Sequence, residues 1–182
     1  AAALSPALRV ADCAYNTRQI LTELRAAAAR GVKLAVFPEF CLTGYTCGDL
    51  DYAKGFGATL ADECGIKVFC AAYRLAPESP YPAAVEDALE AYRYLLEKGY
   101  APEQIVLCGE SAGGGLICAL CLRLKEMNMA MPAGLIAISP WTDLTCSGKT
   151  YEENREADPS LTEELLRFYA DCYTGGLTSK EE

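Results

Sequence analysis

The sequence predicts an α/β fold in which a mostly parallel sheet carries helices on both of its faces. Strand-like and helix-like segments alternate along the 182 residues. The strand-like segments are short and apolar throughout, as strands buried between two layers of helices are. Hydrophobic residues make up 52% of the chain and charged residues 23%, which is typical of a globular protein. We therefore expect residues 1–182 to form a single α/β domain with a sizeable core.

Each element is predicted from its own residues. Continuous apolar runs predict four buried strands: KLAVF at 33–37, IKVFCAAY at 66–73, QIVLCG at 104–109 and GLIAIS at 134–139. Apolar residues at helical spacing predict five helices, over 16–29, 52–64, about 85–96, 112–127 and 162–172. Asn16 and Thr162 are suitable N-caps, glycines follow several of the helices, and the prolines of APESPYP at 76–82 predict a loop.

Two candidate sites follow strands of this predicted sheet, at the edge where sites of parallel sheets gather. PEFCLTGYTCGD follows the strand at 33–37, and GESAGGG follows the strand at 104–109. GESAGGG contains a G-x-S-x-G pattern, which places a nucleophilic serine, here Ser111, on a sharp turn between a strand and a helix. The backbone N–H of Ala112 would then point at a developing oxyanion. The alternative is a glycine-rich helix start in which Ser111 only caps the helix.

Charge and hydropathy exclude several partners. The net charge is −9 and no basic stripe is present, so we expect no nucleic-acid partner. The apolar runs are too short to span a bilayer and the first residues do not form a secretory signal, so we expect no membrane partner and a cytoplasmic location. An acidic, solvated C-terminal face accounts for much of the charge.

The chain has ten cysteines and no histidine. Several of the cysteines fall among apolar neighbours in predicted strands or helices, as reduced structural thiols do. Cys118 and Cys121 form a C-x-x-C on a predicted helix, and neither a second such pair nor a histidine completes a tetrahedral metal site. We therefore expect no metal and no cofactor.

From about residue 51 to 176 the chain resembles the hormone-sensitive-lipase-like branch of the α/β-hydrolases, which are carboxylesterases. The matching stretches are YRLAPESPYPAAVEDALEAYRYLLEKGY, PEQIVLCGESAGGGLICAL, LIAISPWTDLT and DPSLTEELLRFYADCYTGG. The resemblance implies a partial α/β-hydrolase-like three-layer sandwich in which Ser111 is the nucleophile and the Ala112 N–H is an oxyanion donor. The family reaction is ester hydrolysis through an acyl-serine intermediate.

Three parts of the family pattern have no counterpart. The His-Gly-Gly oxyanion motif should precede the helix near Tyr52, and the triad acid and histidine should follow Gly176. Asp143 and Asp158 do not match the triad acid by motif. The nucleophile is therefore expected without its full triad, so we expect weak activity or none, and no histidine-like pH step near ~6.5.

Residues 1–50 instead resemble the start of a nitrilase-type amidase domain, closest to the glutaminase domain of glutamine-dependent NAD synthetase. The stretch FPEFCLTGY carries the glutamate that is that family's general base, here Glu39. The matching lysine and cysteine motifs are missing, so a buried structural Glu39 is favoured over a working base. Gly44 or Tyr45 would offer a second oxyanion N–H to Ser111.

Three functions remain open from the sequence. The leading one is a serine carboxylesterase-type fragment that acts on a small-molecule ester. The second is a non-catalytic chimaeric or engineered α/β scaffold, and the third is a nitrilase-type amidase or glutaminase fragment that uses Glu39. The strand at 134–139 is predicted to be an exposed sheet edge, so a homo-oligomer is also expected, with contacts from 134–139 and 161–173.

Overall fold

The structure is a computed structural model. It describes residues 2–4, 22, 25–26, 29, 34–38, 50–158 and 161–176. The strands in these residues are β1 (Ala2–Leu4), β2 (Leu34–Pro38), β3 (Lys67–Ala71), β4 (Ile105–Glu110) and β5 (Gly134–Ile138). The helices are α1 (Leu50–Cys64), α2 (Ala83–Glu97), α3 (Ala112–Glu126), the short α4 (Thr150–Glu153) and α5 (Glu163–Thr174).

The predicted α/β class is confirmed. The five strands form one parallel sheet in the order β1-β5-β4-β2-β3. The crossover β2–α1–β3 runs toward one edge of the sheet, whereas β3–α2–β4 and β4–α3–β5 run toward the other. Because parallel crossovers are right-handed, this reversal places α1 on one face and α2 and α3 on the opposite face. The connections that follow the neighbouring strands β2 and β4 leave toward opposite edges of the sheet. Open α/β sheets bind ligands at this position, outside the C-terminal ends of the two strands.

The main core lies between β4 and the pair of helices α2 and α3. Alternate residues of β4 point to opposite faces of the sheet, and Ile105 and Leu107 join the apolar cluster of α2 and α3. Tyr92 is fully buried in this cluster, and its hydroxyl donates a 2.9 Å hydrogen bond to the carbonyl of Ala130. Val106 and Cys108 are also fully buried, and the strand's alternation directs them to the other face. Strand β4 is therefore covered on both faces, which holds its C-terminal end in place.

The prediction that 134–139 forms an exposed sheet edge is wrong. Ala2, Ala3 and Leu4 pair in register with Gly134, Leu135 and Ile136, so β5 lies between β1 and β4. Three small or apolar residues at 2–4 are too few to show a strand by periodicity, and β1 was therefore not predicted. The edge of the sheet next to β5 is β1 itself.

Arg74 connects the end of β3 to α2. Its backbone N–H donates to Asp87 at 2.8 Å, and its guanidinium contacts both oxygens of the same carboxylate. A further guanidinium contact reaches Glu86 at 3.3 Å. The hydrogen bond from the Arg74 side chain lowers the pKa of the Asp87 carboxyl, against the opposing effect of burial. This pair stabilises the loop at 76–82, which contains cis Ala76–Pro77 and Tyr81–Pro82 peptide bonds.

Candidate active site

Ser111 lies on a tight turn between β4 and α3, as its sequence context predicts. Its φ of 51° and ψ of −119° lie outside the regions that L-residues favour. Such a conformation costs about 1–3 kcal/mol and persists only where neighbouring groups hold it. The Ser111 N–H donates to the Ile138 carbonyl at 3.0 Å, and the Ser111 carbonyl accepts from the N–H groups of Gly115 at 3.1 Å and Trp141 at 2.9 Å.

The hydroxyl of Ser111 does not cap the helix. Ser111 occupies the N-cap position of α3, but its side chain makes no cap hydrogen bond. Thr162, at the same position of α5, accepts a 3.3 Å hydrogen bond from the N–H of Leu165 in the usual way. The alternative interpretation of Ser111 as a capping residue is therefore wrong. The residue is half-buried rather than exposed, because the loop after β5 covers one side of the turn.

Glycines allow this turn to be tight. A Cβ atom on Gly109 would overlap the carbonyl of Gly113 at the start of α3. A Cβ on Gly114 would come within 2.8 Å of the Pro140 side chain, and one on Gly115 would overlap the carbonyl of Trp141. The strand, the helix and the loop after β5 are thus in backbone contact around Ser111.

Ala112 is the first residue of α3 and is exposed. The first N–H groups of a helix have no acceptor within the helix and carry the positive end of its dipole. The Ala112 N–H is therefore available to an oxygen that develops negative charge next to Ser111.

Glu110, directly before Ser111, is a feature that the sequence analysis missed. Its Oε2 is buried and has no hydrogen-bond partner among the residues that the structure describes. Burial raises the pKa of the Glu110 carboxyl to about 7. Alternate residues of a strand share a face, so Glu110 points to the same face as Val106 and Cys108, which is the face that carries α1. A glutamate as the last residue of an otherwise apolar strand was the available signal.

Asp143 organises the loop after β5. Its Oδ1 accepts hydrogen bonds from the N–H and hydroxyl of Thr145 at 2.9 and 2.6 Å, and its Oδ2 accepts from the N–H and hydroxyl of Ser147, both at 2.8 Å. These hydrogen bonds, first those from the two side chains, hold the pKa of the Asp143 carboxyl well below its usual value. The D-x-T-x-S spacing is the signal from which this turn is predictable. Asp158 accepts a 3.1 Å bond from the N–H of Leu161 in a separate turn.

The second predicted site falls mostly outside the described residues. Glu39, Gly44 and Tyr45 belong to that part of the chain. The backbone of β2 ends at Pro38, and its register with β4 places that end at the sheet edge where Ser111 follows β4. The position of the strand agrees with the predicted shared edge, and the role of Glu39 stays a prediction.

The cysteines in the described residues are free thiols. They are Cys64, Cys70, Cys108, Cys118, Cys121, Cys146 and Cys172. Burial raises the pKa of the Cys121 thiol to about 11, so this member of the C-x-x-C on α3 is a poor metal ligand or nucleophile. Within the described ranges, no cluster of three or more Cys, Asp or Glu side chains has the arrangement of a metal site. The helices of that part are also too short or too polar to cross a membrane.

Comparison with known proteins gives consistent matches. The sequence profile of a family described by the alpha/beta hydrolase fold matches residues 43–182. An acetyl-hydrolase of Streptomyces hygroscopicus is 39% identical over 132 residues, which are 72% of this chain and 44% of that protein. An esterase of Acinetobacter venetianus is 38% identical over 120 residues, covering 66% of this chain and 40% of its own length.

Solved structures agree with the sequence matches. The crystal structure of an esterase from the bacterial hormone-sensitive lipase family superposes with a TM-score of 0.72 at 36% identity, over 80% of this chain and 48% of that one. The chain thus spans less than half the length of these relatives. The profile match begins within the segment predicted to be nitrilase-like. None of these findings bears on that resemblance, which stays a prediction.

Proposed function

The chain belongs to the α/β-hydrolase fold family. From that membership we propose that it is a carboxylesterase-type hydrolase in which Ser111 is the nucleophile for hydrolysis of short-chain carboxylic esters. The observation that carries the proposal is the strained turn at Ser111, whose hydroxyl makes no cap bond to α3. A capping serine needs no such strain, whereas a nucleophile must extend beyond the end of its strand. The acetyl-hydrolase name of one relative favours a small acyl group.

The proposed reaction has two steps. Ser111 Oγ attacks the ester carbonyl carbon, the bond from that carbon to the alcohol oxygen breaks, and the serine proton passes through a base to the departing alcohol. Water then attacks the acyl-serine, which releases the acid and restores the hydroxyl. The N–H of Ala112 donates to the oxyanion in both steps, and the N–H of Gly44 or Tyr45 is the candidate for the second donor.

The proton transfer limits this chain. The chain contains no histidine, the residue that carries the proton in this mechanism. Catalysis by binding and the oxyanion hole alone reaches roughly 10³–10⁴-fold over water. That range applies to a site whose oxyanion hole is intact, whereas the His-Gly-Gly oxyanion motif also has no counterpart in this sequence. We therefore expect the chain by itself to fall well below that range and to hydrolyse a short-chain aryl ester only slightly faster than the buffer does.

Covalent labelling tests the nucleophile without requiring turnover. A fluorophosphonate probe is added in excess, and intact mass follows one adduct per chain, with Ser111→Ala as the blank. Ser139→Ala is the matched control, because Ser139 also follows a strand at positive φ, 43°, and is exposed. We expect labelling to disappear in Ser111→Ala and to persist in Ser139→Ala. An adduct that survives Ser111→Ala would refute the assignment.

A non-catalytic α/β scaffold is the second candidate, because no histidine is present to activate Ser111. The same experiment separates the two. A folded sample that gives no adduct at any probe concentration favours the scaffold.

We also propose that copies of the chain associate through α5. Leu161 before this helix is 48% exposed and Phe168 within it is 60% exposed. Exposed large apolar side chains on and directly before one helix favour self-association.

A further inference from the structure

Asp143 lies at the start of a loop that is connected to Ser111 by hydrogen bonds. The four donors on its carboxylate come from Thr145 and Ser147, so this one side chain fixes the path of residues 143–147. The indole N–H of Trp141 donates to the Asp143 carbonyl at 3.0 Å, which fixes Trp141 relative to the same turn.

Trp141 in turn holds the turn at Ser111. Its backbone N–H donates to the Ser111 carbonyl at 2.9 Å, and Gly115 donates to the same oxygen at 3.1 Å. The carbonyl of Ser111 and the N–H of Ala112 belong to one planar peptide unit. A constraint on the direction of the carbonyl therefore also sets the direction of the N–H.

We propose that Asp143 is a positioning residue that aims the Ala112 N–H at the oxyanion through Trp141 and the Ser111–Ala112 peptide. This inference rests on the proposed function, because it concerns the same turn. It requires no contact between Asp143 and substrate. It differs from the triad acid of the family, whose motif Asp143 does not match.

Amide hydrogen exchange tests the positioning directly. Asp143→Ala removes the acceptor of four hydrogen bonds and should increase exchange at the Trp141 and Gly115 amides by at least about fivefold, the effect of losing one hydrogen bond of ordinary strength. Ser147→Ala, which removes one donor and is the milder change, should give a smaller increase at the same two amides. Asp158→Ala is the matched control, since Asp158 caps a turn that has no described contact with Ser111, and it should leave both rates unchanged.

Two further measurements separate positioning from general loss of structure. Trp141 is the chain's one tryptophan, so its emission reports on this loop alone and should shift in Asp143→Ala but not in Asp158→Ala. The rate of fluorophosphonate labelling at Ser111 should fall in Asp143→Ala at a temperature where circular dichroism shows both proteins folded.

Three results would overturn the inference. The first is unchanged exchange at Trp141 and Gly115 in Asp143→Ala, or in Ser147→Ala if the first variant does not fold. The second is faster exchange with an unchanged labelling rate, and the third is an equal effect of Asp158→Ala. If wild-type Ser111 takes no label, the proposed function fails, and the exchange rates still decide whether Asp143 holds the peptide.

Discussion

The tight turn between β4 and α3 requires a residue without a Cβ atom at position 109. The backbones of β4 and α3 approach so closely that a Cβ on Gly109 would overlap the carbonyl of Gly113. Because the obstructing atom is part of the backbone, neither side-chain rotation nor a small shift relieves the clash. The space for the turn at Ser111 therefore depends on this glycine as much as on the serine.

Gly109→Ala is expected to lower the free energy of unfolding by more than ~2 kcal/mol, toward the upper end of the usual cost of overpacking. Gly148→Ala is the control, because its Cβ would meet Tyr151 ring carbons at 3.5 Å and Thr150 Oγ1 at 3.7 Å, which are ordinary contacts. We expect that control to lie within ~0.5 kcal/mol of wild type. Urea unfolding followed by circular dichroism measures both changes, and equal values would contradict the described approach of strand and helix.

Glu110 gives the chain a group that titrates near neutrality without a histidine. Its folded-state pKa of about 7 lies above the ordinary carboxyl value of 4.5, so the folded protein binds more protons than the unfolded chain between these values. Its contribution to stability is thus lost progressively as pH rises from about 4.5 to about 7 and is constant above that. Glu110→Gln removes this dependence.

We expect the melting temperature of Glu110→Gln, measured relative to wild type, to rise across this pH interval and then to level off. Glu126→Gln, the same change at an exposed carboxylate on α3, is the matched control. Labelling of Ser111 can respond to the same titration of Glu110, whereas the absence of a histidine-like pH step near ~6.5 in hydrolysis stays a prediction. A step that remains in Glu110→Gln would exclude this glutamate as its source.

At the scale of elements, the N-cap residues of α3 and α5, Ser111 and Thr162, differ in whether their side chains stabilise the helix. The Thr162 hydroxyl accepts a hydrogen bond from the N–H of Leu165, whereas the Ser111 hydroxyl accepts none from the first turn of α3. Thr162→Ala should therefore cost about 1 kcal/mol of stability, the usual value for a lost cap. Ser111→Ala should change stability by less than ~0.5 kcal/mol, because alanine has the same Cβ and loses no cap bond. Equal losses in chemical denaturation would show that the Ser111 hydroxyl does support the helix.

The elements that could be predicted from sequence are those with long periodic or continuous apolar patterns. Strand β4 and helix α2 are of this kind, and their predicted positions agree with the structure. Strand β1 could not be predicted, because its three residues owe their conformation to pairing with β5, more than a hundred residues away. A short strand that forms by pairing with a distant segment shows no distinctive spacing of apolar residues in its own sequence.

Part of the candidate site could also be predicted from the sequence, and part could not. Ser111 and Ala112 were predicted, since the G-x-S-x-G pattern follows a strand and precedes a helix. The raised pKa of Glu110 and the contact from Trp141 to Ser111 depend on which elements cover the turn, and that information is tertiary. The sequence shows which residue types are suitable for a catalytic site. Tertiary packing decides which of their polar groups have hydrogen-bond partners.

At the scale of the whole molecule, exposed apolar side chains on and beside α5 make the predicted self-association testable. We expect light scattering at micromolar concentration to detect a dimer or larger species, and Phe168→Glu to shift it toward monomer. Leu122→Glu is the control, because Leu122 is equally exposed, at 64%, and lies on a different helix, α3. A monomeric wild type, or an equal effect of both changes, would rule out association through α5.

The pairing of β1 with β5 also sets the order in which the strands can assemble while the chain is being synthesised. Ala2 leaves the ribosome well before its partner Gly134 has been translated. At ~5–20 residues per second, the interval between the two is roughly 7 to 26 seconds. Strands β2, β3 and β4 can assemble during that interval, whereas the first residues must wait for a partner. Closure of the sheet by β1 is therefore a late event in the synthesis of these strands.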